Sequence, residues 1–275
     1  MQTERHTLPP FQSYFWLYMP AGEIKARKPK KTGELRDVFA AEAKGCNPLS
    51  VKLCDMDHLH PADTRHLTVC EQPRTPEKPG EYRYQPVQKA EDLARMVDMA
   101  QGIASTYIPM ELGGSALEII EKTNKLHMAL RFNPEAENLF NEFYQDMMDG
   151  MEDWGVYDLY KEDRTPRVFL GKAYKSEIPG VDVKSARKSF NDKFDKFPTR
   201  PIMFDRLILG QGLFDVKGNN LARRDVATIH FDEKPFEWHC DDPFDLGENT
   251  RLISQTADAR AQARVDGPRR PLPVS

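Results

Sequence analysis

Residues Lys89 to Ala104 repeat apolar side chains at helical spacing, with Leu93, Met96, Val97, Ala100 and Ile103 on one face. Asn138 to Met151 do the same through Leu139, Phe143, Met147 and Met151, so two amphipathic helices are predicted. Between them, Lys125 to Phe132 alternates in strand fashion, placing Leu126, Met128, Leu130 and Phe132 on one face and His127 on the other. The aromatic run Tyr14-Phe15-Trp16-Leu17-Tyr18-Met19, closed by Pro20, predicts a buried first strand. Leu35, Val38 and Phe39 suggest a helix over 34–41, and Leu49 to Leu53 and Leu67 to Val69 suggest short strands. Further strands are expected at Val168 to Tyr174, Ile202 to Leu209 and Val226 to Phe231, with a helix at Val183 to Phe194. The order approximates two β-α-β units.

Prolines and charge make 71–86 a loop, and no repeat period breaks the pattern. The expected organisation is a disordered 1–10, a domain over 11–215, an extension with one strand over 216–245, and a disordered tail over 246–275.

Composition narrows the function classes. The chain has 275 residues, 39% hydrophobic and 30% charged, enough to bury a sizeable core. Its net charge of −4 provides no overall positive field for nucleic acid or anionic lipid, so any RNA contact is local. The apolar stretches fall short of the roughly 20 residues that cross a bilayer, and the N-terminus lacks a signal-peptide apolar region. With four cysteines expected as thiols, the reading is a cytoplasmic or nuclear protein with no membrane partner.

The chemistry-bearing pattern is Arg65-His66-Leu67-Thr68-Val69. On a strand, His66 and Thr68 share a face, where an imidazole can move a proton and a hydroxyl can hold a phosphoryl oxygen. With its surrounding strand and helix order, this segment resembles the 2H phosphoesterase superfamily, which includes the so-called 2′-5′ RNA ligases and cyclic nucleotide phosphodiesterases and is marked by paired His-x-Thr/Ser motifs. The resemblance spans roughly 11 to 212 and implies an α+β fold of two pseudo-symmetric lobes, with antiparallel sheets, flanking helices and a cleft between them. It also implies a phosphodiesterase-like activity on, or binding of, RNA-derived 2′,3′-cyclic phosphates or 2′-5′ linkages, without metal or organic cofactor.

Where the second motif would fall the chain reads Thr165-Pro166-Arg167-Val168-Phe169, with Arg167 and Phe169 in place of His and Thr. Arginine stays protonated, so it can bind phosphate but not donate as an acid. The resemblance therefore implies His66, Thr68 and His127 as the catalytic set, with Arg167, Tyr14 and His230 contacting a nucleotide or RNA phosphate. His230 is the alternative proton partner. A catalytically inactive nucleotide- or RNA-binding or protein-interaction module is the other reading.

A third reading is a zinc-binding domain at 46–70, drawing on Cys46, Cys54, His58, His60, His66 and Cys70, although the spacing lacks Cys-x2-Cys knuckles. His230, Asp232 and His239 loosely fit a non-haem iron pattern. Gly113-Gly114 and Gly210-Gln211-Gly212 read as turns rather than phosphate loops.

Overall fold

The aromatic run forms β1 (Gln12–Pro20), the fourth strand of a five-stranded sheet in a computed structural model. Described residues are 11–22, 24–28, 31–34, 60, 62–71, 89–151, 165–194, 200–215, 219–232 and 234–266. The expected helix at 34–41 and strand at 49–53 lie outside them, as do 1–10 and most of the cysteine and histidine cluster.

Next to β1 come a hairpin of β2 (Lys25–Lys28) and β3 (Lys31–Glu34), then β4 (His66–Glu71), which pairs antiparallel with β1. Helix α1 (Ala90–Ala104) follows and buries Leu93, Met96, Val97 and Ala100, the face that the periodicity predicts. A second lobe is built from β5 (Met110–Leu112), β6 (Gly114–Glu121), β7 (Lys125–Phe132), α2 (Pro134–Gly150) and β8 (Arg167–Tyr174). Asn133 caps α2 by accepting from the Ala136 amide at 2.8 Å, and Pro134 opens the helix where its missing N–H costs nothing. Helix α3 (Val183–Phe194) and β9 (Ile202–Phe204) lead to β10 (Arg206–Phe214), β11 (Asn220–His230), β12 (Glu237–Trp238) and α4 (Leu246–Asp266).

The large sheet runs β12-β11-β10-β1-β4 and a three-stranded sheet runs β6-β7-β8, all antiparallel. Their edge strands β4 and β8 lie side by side, and one core packed by α1 and α2 underlies both. The fold is α+β, in two sheet lobes with flanking helices. Among the described residues, no helix is long and apolar enough to cross a membrane.

Asp215 and Asn219 exchange hydrogen bonds of 2.8 to 3.0 Å, closing a hairpin that makes β11 the direct neighbour of β10. The segment from 246, expected as a tail, is helical through Asp266. Its attachment is polar: Arg224 donates to Gln211 at 2.7 Å, Glu248 at 2.6 Å and Asn249 at 2.9 Å. Both amides are fully buried, and both donate to the Pro243 carbonyl. Leu252 and Ile253 add the small apolar contact, so too few apolar residues mark this helix in the sequence.

Candidate active site

Strand β4 alternates in burial along His66-Leu67-Thr68-Val69, with Leu67 and Val69 in the core and His66 and Thr68 on the open face. The expected co-facing pair is therefore present. His66 Nδ1 lies 2.8 Å from the Thr64 carbonyl oxygen. A carbonyl only accepts, so the neutral ring carries its proton on Nδ1 and presents Nε2 as a lone pair. Burial, with Arg223 nearby, holds the His66 pKa below the ordinary histidine value, against the raising effects of the Thr64 contact and Asp225. At neutral pH this imidazole is a base.

Strand β8 presents its own open face beside β4. Val168 and Leu170 are buried, while Arg167 is half-buried and Phe169 is exposed. A register shift opposite Met128/Ala129 then turns Lys172 to the same open side, opposite His127 of β7. Arg167 lies on this open face, but its Nε is ion-paired with Glu118 of β6 and its guanidinium donates to the Thr165 carbonyl at 3.2 Å. It is bound into the sheet. Phe169 packs edge-on against His127, with ring centroids 5.3 Å apart.

A third histidine, His60, senses the charges of both His66 and His127. The His60 amide donates to the Leu170 carbonyl at 2.7 Å, fastening the approach to β4 onto β8. Its own carbonyl accepts from Arg65 Nε at 3.0 Å. Burial lowers the His60 pKa most, and the charges of Lys172, His127, His66 and Arg65 lower it further. His127 is depressed likewise, by burial and then by Lys125, Lys122 and Lys172. Three imidazoles and one lysine thus share one electrostatic neighbourhood where β4 meets β8.

Two other expected residues do not join them. Tyr14, on the same face of β1 as Trp16 and Tyr18, is only 6% exposed, and its hydroxyl donates to Glu71 at 2.5 Å, which commits it to the strand pairing of β1 with β4. His230 ends β11, three strands from β4, or about 14 Å at normal strand spacing. Its Nε2 is buried, with Glu237 at 3.7 Å. His239 instead meets Thr228 Oγ1 at 2.8 Å, away from Asp232, which is bound to Lys234. Among the described residues no three His, Cys, Asp or Glu side chains cluster as a metal site, and Cys70 is buried in the core with its thiol pushed up to about 12. His60 was missed as a neighbour of His66, and Lys172 as the residue opposite His127. Lys172 follows the bulge and His60 sits in a loop, so neither position has a periodic signal.

No family model matches this chain, and no curated protein matches it. Among solved structures it is similar to a phosphoesterase, at 10% identity and TM-score 0.43, over 81% of this chain and 100% of that one. It is also similar to LigT of E. coli in apo form (10% identity, TM-score 0.38, 79% and 96% covered). A third is Usb1 of Kluyveromyces marxianus with uridine monophosphate (10% identity, TM-score 0.40, 73% and 94% covered). All three TM-scores are below 0.5, and these likenesses assign neither family nor residue roles.

Proposed function

We propose that this chain is a 2H phosphoesterase-like protein whose β4–β8 cleft takes an RNA-derived phosphate, a 2′,3′-cyclic phosphate or a 2′-5′ linkage. One observation carries the reading: a neutral His66 with its Nε2 presented, Thr68 on the same face, and a loop histidine, His60, fastened to β8 and sensing the charges of His66, His127 and Lys172, the last two opposite one another on β7 and β8. In hydrolysis of a cyclic phosphate, His66 Nε2 takes the proton of the attacking water as the new P–O bond forms. A second imidazole, His60 or His127, enters protonated once the anion has offset its depressed pKa, and gives its proton to the departing ribose oxygen as the old P–O bond breaks. The Thr68 hydroxyl and the Lys172 ammonium hold the non-bridging oxygens. Each proton taken by one imidazole is matched by one given by the other, so the step balances without a metal.

The second reading, a module that binds without cutting, is favoured by the tying of Arg167 to Glu118 and by Phe169 where a hydroxyl would serve. Hydrolysis of 2′,3′-cyclic nucleotides and 2′-5′-linked oligonucleotides, in EDTA, by wild type and His66→Ala decides between them. Turnover that His66→Ala abolishes supports the enzyme. Binding without turnover supports the module, and neither binding nor turnover overturns both.

A further inference from the structure

The β1 run that reads as plain core has two faces. Phe15, Leu17 and Met19 enter the core, while Trp16 and Tyr18 are half-buried on the face that carries His66 and Thr68. Trp16 stands in register with Gly210 of β10, and Tyr14 with Gly212. A Cβ on Gly210 would come within 2.5 and 2.6 Å of the indole Cε2 and Cζ2, and one on Gly212 within 3.2 Å of Cζ3. The indole therefore lies flat over glycine backbone, and a side chain at 210 would push it off the sheet. These glycines are mid-strand and not the turn that their spacing suggests.

The flat ring belongs to a row. Trp16 and Tyr18 have centroids 6.3 Å apart with planes 24° from parallel, and Tyr18 and His66 have centroids 4.9 Å apart. Tyr18 is held by its hydroxyl, which donates to Asp225 at 2.7 Å. At the other end of the row, Tyr14 stacks on Trp16 at 5.1 Å. On the outer side Arg223, exposed on β11, sets its guanidinium carbon 5.6 Å from the indole centroid. Flat aromatic faces beside a surface arginine, leading without a break to a phosphate-handling histidine, match the repeating chemistry of a single nucleic-acid strand, base then phosphate.

We propose that Trp16 and Tyr18 form a base-stacking platform for the nucleotides adjoining the phosphate at His66, with Arg223 on the neighbouring backbone phosphate, so that the ligand is a single-stranded RNA oligonucleotide rather than a mononucleotide. This rests on the proposed function only for the phosphate placed at His66. Stacking reads the π-face of a base, so the platform tolerates sequence.

The test uses a uridine tetranucleotide with a 3′-phosphate, titrated against the fluorescence of the full chain, with inorganic phosphate as the baseless probe. Trp16→Ala is expected to weaken tetranucleotide binding roughly 10- to 100-fold and leave phosphate binding unchanged. Gly210→Val, which keeps the tryptophan but displaces it, is expected to act in the same direction. Arg223→Gln, at an exposed position, is expected to lower the salt dependence by about one charge. Unchanged tetranucleotide binding in folded Trp16→Ala and Arg223→Gln overturns the platform, even if phosphate binding and turnover stand. Tetranucleotide affinity lost in Trp16→Ala by calorimetry, a readout that does not depend on the deleted indole, without any phosphate binding at His66, supports the platform while removing the proposed function.

Discussion

Replacing Arg167 by methionine removes a charge and keeps most of the side chain's length, so it separates a structural arginine from a ligand arm. Arg167 and Glu118 are 19% and 17% exposed, and the pair ties β8 to β6 across β7. In Arg167→Met the Glu118 carboxylate stays half-desolvated without its cation. A stranded charged acceptor costs about 1–3 kcal/mol, and the lost charged hydrogen bond adds to it, so a total of about 3 kcal/mol is expected. At about 2–4 °C per kcal/mol for a chain of this size, the melting temperature drops by about 6–12 °C. The double variant Arg167→Met with Glu118→Leu removes both charges and is expected to recover most of that loss. Thermal and urea unfolding followed by circular dichroism provide the numbers, and tetranucleotide affinity in the same variants provides the contrast. A drop under about 2 °C, with affinity lost more than tenfold, would refute the strut and make Arg167 a phosphate ligand.

Three further outcomes follow from the same geometry. Arg224→Ala leaves Gln211, Glu248 and Asn249 without their shared donor and is expected to cost about 3 kcal/mol and release α4, seen as new cleavage beyond 245 in limited proteolysis; an unchanged digest contradicts the polar anchor. His60, His66 and His127 all have pKa values lowered on folding, so the unfolded chain binds more protons below 6.5. Stability from these groups is fully present above 6.5 and is lost as pH falls from there through their folded values, and substituting the three by Gln is expected to flatten the urea midpoint over that window. Inorganic phosphate restores charge balance to the same imidazoles, so its affinity should rise as pH falls below neutral, with proton uptake on binding in calorimetry; affinity independent of pH would mean that the anion sits elsewhere.

Much of the frame is legible in the chain because period matches placement. Leu93, Met96, Val97 and Ala100 are buried as spaced, and alternation put His127 outside Met128 and Leu130. The His66 and Thr68 face follows from the same rule. What escaped is set by partners distant in sequence. His60 reaches the site through a backbone bond to Leu170, Arg167 is claimed by Glu118, and His230 lies three strands from His66 because β10 and β1 intervene. Strand β6 lies between breakers in a run whose Glu118 and Glu121 find their cations on β8, just after it at Lys175, and on α3. Gly210 and Gly212 look like a turn until Trp16 is laid over them.

The most direct test of the account is the His66 ring itself, followed by 15N-detected NMR of the histidines with and without uridine 3′-monophosphate. The geometry predicts the Nδ1–H tautomer and a pKa below 6.5 in the free protein, with the His66 resonances shifting and its pKa rising as nucleotide binds. A His66 resonance and pKa unmoved by saturating nucleotide would contradict it.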